Sequence, residues 1–554
     1  MEYTGCFVHE DRFIQVKERL LVKTFNTTAV CIPSKHYMVD LSKRVEEIKR
    51  LVDAGKYFTI NRARQYGKTT TLSLLENRLS SDYYVVSMDF QDYGEDSFRT
   101  EDSFCRDFSS DFCSILTEKI SKDNNRITEE ISELRSISEE QDKPLRLFTM
   151  FKSIKRIWDI ADKPIVLFVD EVDSATNNQL FIDFLSSLRS HYLKREKKPD
   201  YKTFQSVILA GVTDVKHLKS KIRDEGEHKV NSPWNIAADF EIDMSLSEEG
   251  IQGMLEDYEA DHHTGMDTTS VAKSIRAFTN GYPYLVSRIC ELIDKEVCRQ
   301  MSLSDAWTIR GVDEAVKLIL AENNTLFQSL TEKLTNYPEL KASIRSILME
   351  GTRLTYNPDQ EDISQMEMYG LIQNDHNTVK VANRIFETRL YNLFLSDEEL
   401  KKNVFSREGE LAKNMFVEDG KLNMRLILDR FIVTYTQICG PLQERFKEKD
   451  GREHFLLYLK PIINGTGNYY IEAQTRDQTR TDVIVDYLGQ QYIIELKIWH
   501  GERYNEKGEK QISEYLNYWN LDTGYMLSFN FNKNKKQGVD IVHVGNKTLY
   551  EGTV

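Results

Sequence analysis

The chain has 554 residues, which is enough for three or four domains of ordinary size, and 40% of them are hydrophobic. That composition excludes a mainly disordered chain, and no run of about 18 apolar residues is present to suggest a membrane span. The first residues lack the basic-then-apolar order of a secretory signal. Seven scattered cysteines form no C-x-x-C pair, which argues against a disulfide framework or a cysteine zinc site and predicts a cytoplasmic protein.

The net charge of −15 is distributed unevenly along the chain. Residues 401–554 carry 22 Lys and Arg against 21 Asp and Glu, so the first 400 residues carry all of the excess negative charge. An acidic surface repels nucleic acid at long range, whereas a neutral one does not. We therefore expect any contact with nucleic acid in the C-terminal part, and we interpret the basic loop at residues 194–198 as solvated surface.

Residues 36–245 alternate short apolar runs with helical patterns. This alternation predicts an α/β domain with a parallel sheet that is covered by helices on both faces. The predicted strands are Tyr57–Ile60, Tyr83–Phe90, Ile165–Val169, Val207–Val212 and Phe240–Met244.

Two smaller regions follow the predicted sheet. Residues 246–325 show only helical patterns, opened by the capping-box form Ser245-Leu-Ser-Glu248, and predict a helical lid. Residues 326–395 predict a winged-helix-like domain, because helices at Pro338–Glu350 and Ile363–Tyr369 precede two short runs joined by a turn at Asn374–Asn377.

An α+β pattern occupies the C-terminal part of the chain. The predicted helices are Leu411–Val417, Met424–Leu442, Glu453–Leu459 and Lys510–Trp519, and the predicted strands are Tyr469–Thr475, Thr481–Leu488, Gln491–Leu496, Tyr525–Phe531 and Gly538–His543. The predicted domains are therefore an N-terminal extension at 1–35, an α/β core at 36–245, a lid at 246–325, a winged-helix-like domain at 326–395 and a C-terminal domain at 396–554.

A phosphate-binding loop is predicted between the first strand and the helix that follows it. Gly67, Lys68 and Thr69 fit the end of the pattern G-x-x-x-x-G-K-[S/T], although Arg62 stands at the first glycine position. Backbone N–H groups of such a loop and of the helix start favour an anion. Lys68 is expected to reach the β and γ phosphates of ATP, and the Thr69 hydroxyl to bind Mg²⁺. The nucleotide-binding segment is predicted to comprise Arg64, Gln65, Tyr66, Gly67, Lys68, Thr69 and Thr70.

Two later strands add the remaining parts of an ATPase site. The apolar strand from Pro164 ends in Asp170 and Glu171, where Asp170 is expected to bind Mg²⁺ and Glu171 to polarise the attacking water. Thr213 ends the next strand, at a place where a polar side chain could sense the γ-phosphate. Helix capping and a plain strand end are the alternative interpretations of these residues.

This region resembles the bacterial AAA-like ATPases that carry a C-terminal PD-(D/E)xK nuclease domain. The segments that carry the resemblance are Tyr37-Met-Val-Asp40, Phe58–Thr69, Phe168-Val-Asp-Glu171, Ser232-Pro-Trp-Asn-Ile236 and Gly281-Tyr-Pro-Tyr284. It implies the AAA/STAND branch of P-loop ATPases, a sheet order of 5-1-4-3-2, and a lid in which Pro283 or Arg288 approaches the nucleotide. A surface position is an equal alternative for Arg288.

Carboxylates and a lysine near the C-terminus predict a second metal site. Asp482 lies on one predicted strand, and Glu495 and Lys497 are two residues apart on the next, so the latter two share a face. Two carboxylates on adjacent strands suit Mg²⁺, and a neighbouring lysine can orient or deprotonate the attacking water. A salt-bridged surface hairpin is the alternative. The resemblance to the PD-(D/E)xK, or restriction-endonuclease-like, family adds Glu453 on an upstream helix and Gln511 on the following helix.

The sequence therefore predicts an ATP- and Mg²⁺-binding AAA-like ATPase with a metal-dependent nuclease domain that acts on nucleic acid, most simply DNA, under nucleotide control. A homo-oligomer is possible and a membrane contact is not expected. The alternative is a STAND-like signalling switch whose C-terminal domain binds nucleic acid or a partner without cleavage. A transcription regulator that acts through the winged helix is disfavoured, because Glu361, Asp362 and Glu367 lie on the helix that would enter a DNA groove.

Overall fold

A computed structural model describes most of the chain. The described residues are 23–120, 125–140, 142–176, 178–212, 234–350, 352–400, 404–418, 420–439, 448–463, 467–474, 480–488, 490–499, 508–510, 512–513, 515–517, 521–530, 532 and 535–554. They fall into two compact units. The first holds the described residues up to Arg276, with Asn280–Val312 and Glu367–Gly370; the second holds Ala277–Thr279, Asp313–Met366 and the described residues from Leu371 onwards.

The first unit begins with an α/β arrangement and continues into helices. Its strands are β1 (Thr24–Phe25), β2 (His36–Tyr37), β3 (Phe58–Asn61), β4 (Tyr84–Asp89), β5 (Ile165–Asp170) and β6 (Ser206–Gly211). Its helices are α1 (Ser42–Asp53), α2 (Lys68–Leu79), α3 (Glu101–Lys119), α4 (Asn125–Glu139), α5 (Leu147–Ile160), α6 (Gln179–Lys197), α7 (Glu248–His262), α8 (Thr268–Thr279), α9 (Pro283–Lys295) and α10 (Leu303–Ala306).

Four of these strands form a parallel sheet in the order β3-β6-β5-β4. This is the order that the resemblance implies for the first four strands. The predicted fifth strand at Phe240–Met244 is wrong, because Ala238 alone forms a bridge beside Phe58 at that edge. Ile242 does not belong to a strand beside β3. Its carbonyl oxygen accepts a hydrogen bond from the Arg62 side chain, at 3.1 Å.

Both faces of the sheet are buried, as expected for parallel strands between helical layers. All six residues of β5 and of β6 are buried. One face packs against an aromatic-rich core that includes Phe104, Phe108 and Phe184. The other face packs against aliphatic residues of α1 and α2, such as Ile48 and Leu75. This double burial fixes the sheet, whose carboxyl edge carries the candidate site.

The helical region after the sheet begins two residues later than the capping-box pattern predicts. Ser247, and not Ser245, caps α7 by accepting a hydrogen bond from the Gly250 amide at 3.1 Å, while Ser245 bonds Asp243. The predicted stop at Asn280-Gly281 is confirmed: both residues have positive φ, of 48° and 71°, and Pro283 is the first residue of α9.

The second unit contains a small hairpin and a larger C-terminal sheet. Its helices are α11 (Ile309–Ala321, of which the part from Asp313 belongs here), α12 (Thr325–Asn336), α13 (Pro338–Glu350), α14 (Glu361–Met368, up to Met366), α15 (Arg384–Leu400), α16 (Val404–Ala412), α17 (Met424–Cys439) and α18 (Glu448–Ile463). Its strands are β7 (Ile372–Asp375), β8 (Thr378–Val381), β9 (Val417–Glu418), β10 (Lys421–Leu422), β11 (Gly467–Gln474), β12 (Arg480–Tyr487), β13 (Gln490–Ile498), β14 (Thr523–Phe529), β15 (Gly538–Val544) and β16 (Lys547–Thr553).

The predicted helices and hairpin of the middle region are confirmed as elements. Helix α13 has the predicted bounds, and β7 and β8 pair antiparallel across the turn that contains His376 and Asn377, both with positive φ. The predicted helix at Leu411–Val417 is wrong, because α16 ends at Ala412 and β9 begins at Val417.

The C-terminal sheet is mixed and has the order β11-β12-β13-β14-β16-β15. Strands β11, β12 and β13 form an antiparallel meander, β14 is parallel to β13, and β16 is parallel to β14. Strand β16, which the sequence patterns did not predict, separates β14 from the edge strand β15. Within the described residues, no helix is both long and apolar enough to cross a membrane.

Candidate functional site

The loop between β3 and α2 has the backbone geometry of an anion-binding turn. Gly67 is the N-cap of α2 with φ of 79°, and Gln65 also has a positive φ, of 57°. A positive φ costs glycine little, which explains why glycine stands directly before the helix. The first amides of α2 have no partner within the helix and are therefore available to an anion.

Lys68 lies inside this loop. Its Nζ donates hydrogen bonds to the carbonyl oxygens of Arg62, at 3.0 Å, and Ala63, at 3.2 Å, and only 5% of the residue is exposed. Burial lowers the pKa of Lys68, while the nearby carboxylates of Glu171 and Asp170 oppose that shift. The ammonium is thus positioned where the loop pattern predicts phosphate oxygens.

Arg62 replaces the first glycine of the pattern because its side chain leaves the loop. The guanidinium donates to the carbonyl oxygens of Asn61, at 2.8 Å, and Ile242, at 3.1 Å, and lies 5.6 Å from the ring centre of Phe240. Its amide donates to the carbonyl of Gly211 at 3.1 Å. The inside of the loop is therefore lined by backbone at this position, as it would be with glycine.

Thr69 and Asp170 meet across the edge of the sheet. The Thr69 hydroxyl donates to Asp170 Oδ2 at 2.8 Å, and Asp170 Oδ1 accepts from the Glu171 amide at 2.9 Å. Burial raises the pKa of Asp170, although both hydrogen bonds lower it. A hydroxyl and a carboxylate side by side are hard oxygen donors, so these residues fit Mg²⁺.

Glu171 and Asp173 follow directly after β5. Glu171 has a left-handed backbone with φ of 50°, and burial raises the pKa of its carboxyl group. Such a shift favours a group that accepts a proton during a reaction. Asp173, which the sequence patterns did not indicate, accepts a hydrogen bond from the Val212 amide at 2.7 Å and so joins β5 to the end of β6. Thr213 lies outside the described residues.

The helical region contacts the loop through the turn before α9. A Cβ atom on Gly67 would lie 3.8 Å from Pro283 Cγ, so Pro283 is next to the loop. The Tyr282 hydroxyl donates to the carbonyl oxygen of Arg64, and the Tyr282 ring meets that of Tyr66 edge-on at 4.8 Å. Tyr282 is therefore a contact that the sequence missed, although it lies inside the segment Gly281-Tyr-Pro-Tyr284.

Arg288 lies on the same helix as Pro283. Its guanidinium pairs with Glu291 at 2.6 Å, one helical turn further along α9. Glu291 also accepts hydrogen bonds from Lys295, at 2.7 Å, and from the Thr27 hydroxyl, at 2.9 Å. Pro283 thus lies beside the loop, and the approach of Arg288 to the nucleotide stays a prediction.

Two further contacts of the loop had no signal in the sequence. Gly370, with φ of 70°, is so close to the loop that an added Cβ would press on Ala63. The Cys31 amide donates to the Thr70 hydroxyl at 3.1 Å, which places the segment between β1 and β2 against the start of α2. A lone glycine and a main-chain amide carry no motif, so only the fold reveals these contacts.

A family model described as an AAA-like domain matches residues 25–396, which is more than half of the chain. The chain belongs to the AAA-like domain family. This AAA-like chain has no match among curated proteins.

Several solved structures are similar to the AAA-like chain in fold. A Walker-type ATPase of Pyrococcus abyssi is 13% identical over 66% of this chain and 99% of its own, with a TM-score of 0.45. The Orc1 protein of Aeropyrum pernix in complex with DNA is 10% identical over 64% of this chain and 93% of its own, with a TM-score of 0.29. The Orc2 protein of the same organism, in ADPNP–ADP complexes, is 12% identical over 65% and 95%, with a TM-score of 0.32.

The C-terminal sheet of the AAA-like chain holds the second candidate site. Glu495 and Lys497 lie on β13 with exposed fractions of 8% and 5%, in a strand that is buried from Tyr492 to Lys497. Strand β12 contains position 482, and Val483 is the register partner of Ile494. Positions 482 and 495 are thus neighbours along antiparallel strands, although the side chain of Asp482 lies outside the described part.

Of the two accessory residues predicted for this site, Glu453 lies in the described part of the chain. Glu453, on α18, pairs with Arg345 of α13 at 3.3 Å. Gln511 lies outside the described residues. Gly508, which the sequence did not indicate, packs so closely on Lys497 that an added Cβ would collide with the lysine Nζ. Among the side chains that the structure describes, no three His, Cys, Asp or Glu residues gather as a metal site.

Proposed function

We propose that the protein binds and hydrolyses ATP with Mg²⁺ at the carboxyl edge of the parallel sheet, and that its C-terminal domain is a PD-(D/E)xK-type nuclease under nucleotide control. The contact of Thr69 with Asp170, at 2.8 Å beside the buried Lys68, carries the first part of the proposal. Lys68 and Thr69 lie at the start of α2 and Asp170 at the end of β5, 101 residues after Thr69, and the fold brings them to one point.

The roles of the ATPase residues follow from this geometry. Mg²⁺, when bound, would neutralise phosphate charge, with Thr69 and Asp170 as its protein ligands. The Lys68 ammonium would exchange the loop carbonyls for phosphate oxygens, and the loop amides would bind the remaining oxygens. Glu171 is the candidate that orients the attacking water, because its raised pKa brings it closer to proton transfer at neutral pH.

Lys68→Ala tests the nucleotide site. We expect the affinity for a fluorescent ATP analogue, measured by titration, to fall by at least tenfold, because a buried cation that faces the phosphates is lost. Lys56→Ala is the matched control, since Lys56 is exposed and lies at the opposite end of β3. Unchanged affinity in Lys68→Ala would rule out the proposed nucleotide site.

Two features support the nuclease part of the proposal. Helix α18 is followed by the antiparallel strands β11, β12 and β13, and then by β14 parallel to β13. This is the order of helix, strand, hairpin, helix and strand that the resemblance implies, with described helical residues at 508–510 and 515–517 between β13 and β14. Glu495 and Lys497 are both buried on β13, which pairs with β12 on one side and β14 on the other.

The chemistry of the donor set fits metal-assisted hydrolysis of a phosphodiester. Carboxylates at positions 482 and 495 would hold Mg²⁺, which would polarise the scissile phosphate. Lys497 shares the Glu495 face of β13 and would orient the attacking water or stabilise the developing negative charge. Glu453 and Gln511 would be accessory residues of the same site.

Glu495→Gln tests the nuclease site with little change in shape. The full chain is incubated with supercoiled plasmid, linear duplex, single-stranded DNA and RNA in Mg²⁺ or Mn²⁺. We expect cleavage of at least one substrate by the wild type and a loss of 100-fold or more in Glu495→Gln. Asp540→Asn, at an exposed carboxylate of the same sheet, is the control that keeps its activity.

One observation favours a second candidate function. Glu453 is paired with Arg345, so the accessory acid of the resemblance is engaged in a salt bridge. A C-terminal domain that binds nucleic acid or a partner without cleaving it would tolerate such a pair, as would a STAND-like switch. DNA binding by the full chain without cleavage of any substrate in either metal would favour this second candidate.

A further inference from the structure

A cleft with basic walls lies at the amino edge of the parallel sheet. It has a volume of about 450 Å³ and opens between the ends of α5 and α6 and the turn that leads into β6. Its lining residues are Lys155, Lys197, Lys198, Pro199, Asp200 and Tyr201. We call this group, together with the adjacent Lys194 and Lys202, the basic cleft. Because ATP is expected at the carboxyl edge, the two sites do not overlap.

The basic cleft has a folded framework. The Tyr201 amide donates to the carbonyl of Lys198 at 2.9 Å, which closes a turn that contains Pro199. The Tyr201 hydroxyl is 2.7 Å from His191 Nδ1, and burial lowers the pKa of His191 to about 4. His191 is therefore neutral at physiological pH and holds Tyr201 in place, and the positive charge of the cleft comes from its lysines.

The lysines are arranged around this turn. The ammonium groups of Lys155 and Lys194 lie 4.7 and 5.9 Å from the Tyr201 ring centre. Lys202 donates to the carbonyl oxygen of Asp159 at 3.0 Å. Lys194, Lys197 and Lys198 are exposed, and none of the carboxylates in the described part of the chain forms an ion pair with them.

The local charge contrasts with the rest of the molecule. The five lysines face Asp159, which Lys155 already neutralises, and Asp200, so the cleft is positive in a chain of net charge −15. Cations at the end of α6 alone would be explained by the helix dipole. Lys155, which pairs with Asp159, and Lys202, which donates to the carbonyl of Asp159 at the end of α5, come from other elements and converge on the same turn.

We propose that the basic cleft binds the phosphodiester backbone of a nucleic acid, as a contact site of the ATPase unit that is independent of the C-terminal domain. Lysine ammonium groups act as point charges that neutralise successive phosphates without reading bases. The faces of Tyr201 are occupied by lysines and by His191, at 5.9 Å, so base stacking is not part of the interaction. Binding at the cleft is therefore independent of sequence and sensitive to salt.

The test uses the full chain with Lys194→Gln, Lys197→Gln and Lys198→Gln combined. Binding of a fluorescein-labelled 30-base-pair duplex is followed by anisotropy between 50 and 200 mM salt. We expect affinity at 50 mM salt to fall by about tenfold or more, and the slope of log K against log salt to lose about 3 units, one for each lysine. ATP hydrolysis is expected to stay unchanged, which reports intact folding.

A matched triple variant distinguishes binding at the basic cleft from a general effect of net charge on DNA affinity. Lys43→Gln, Lys56→Gln and Lys273→Gln remove the same charge from exposed positions outside the cleft. The proposal requires that this control lose much less affinity than the cleft variant; equal losses would overturn it. Retained DNA affinity in the cleft variant, together with lost binding to phosphatidylserine vesicles, would assign the cleft to anionic lipid and also overturn it. Because no catalytic residue changes, absence of cleavage would not affect this result.

Discussion

Gly508 sets the space for the Lys497 ammonium, since any side chain there would collide with Nζ. Lysine can move its end group, so Gly508→Ala is expected to displace the ammonium without unfolding the domain. If Lys497 acts on the phosphodiester, cleavage should fall by about tenfold or more while the melting temperature stays within a few degrees. Plasmid cleavage and thermal unfolding measure the two effects. Full cleavage activity in Gly508→Ala would show that the Lys497 ammonium takes no part in the reaction.

Gly281 should tolerate a side chain less well than Gly508, because the atoms nearest to an added Cβ belong to the main chain. An added Cβ would overlap the main-chain atoms of Leu246, and φ is 71°. Gly281→Ala should therefore destabilise the helical region by on the order of 2–3 kcal/mol. Gly253→Ala is the control: this glycine lies within α7 with open space around it, so alanine should stabilise by roughly 0.5–1 kcal/mol. Denaturant unfolding of both variants checks the difference in sign.

At the scale of elements, a buried charge cluster joins α11 to β12. Lys317 Nζ lies 3.0 Å from Glu314 and 3.1 Å from Asp486, which is 3% exposed. Asp313 is part of the same cluster, and burial raises its pKa to about 7, helped by the charge of Asp486 and opposed by Lys317 and Arg384. One carboxyl group of the cluster therefore keeps its proton well above the usual range.

This raised pKa predicts how stability depends on pH. Between about pH 4 and pH 7 the folded chain holds a proton on Asp313 that the unfolded chain releases, so stability falls as pH rises through this window and then levels off. Asp313→Asn should match the wild type near pH 4 and exceed it by about 1–3 kcal/mol at pH 8. Asp359→Asn, at an exposed position, should show no such divergence. Thermal unfolding across pH 4–8 compares the three proteins, and parallel curves would contradict the prediction.

The strands were the elements that the sequence predicted best. Each of the four parallel strands is an apolar run bounded by polar residues, and such runs appear directly in the sequence. The run Phe240–Met244 also carries apolar residues but is not a strand. The carbonyl oxygen of Ile242 accepts a hydrogen bond from Arg62, which is distant in sequence, and not from a neighbouring strand. Strand β16 was missed because its exposure alternates over residues of mixed polarity, Lys547–Thr553, which leaves no apolar run.

The residues proposed for the ATPase site were found for the same kind of reason. Lys68 and Thr69 follow a glycine at fixed spacing, and Asp170 ends an apolar strand, so local patterns find them. Tyr282 and Asp173 donate to and accept from the main chain, Tyr282 at Arg64 and Asp173 at Val212, and no local pattern records such hydrogen bonds. Their contribution depends on tertiary structure and could not be inferred from spacing.

At the scale of the whole molecule, the proposed control of cleavage by nucleotide is open to direct measurement. We expect the rate of DNA cleavage by the full chain to differ by about fivefold or more between ATP, ADP and no nucleotide, because binding at one site shifts an equilibrium that the other site senses. Lys68→Ala should show one rate in all three conditions. Cleavage that proceeds equally in every nucleotide state of the wild type would refute the coupling and leave both active sites intact.

Arg62 does more than replace a glycine, because it links the loop to a second segment of the chain. Its backbone forms part of the predicted phosphate-binding loop, where its carbonyl oxygen accepts a hydrogen bond from Lys68. Its guanidinium donates to the carbonyl oxygen of Ile242, which lies five residues before Ser247, the N-cap of α7. The guanidinium therefore ties the backbone of this loop to the connection that leads into α7. A glycine at position 62 would leave the loop backbone in place and remove that tie.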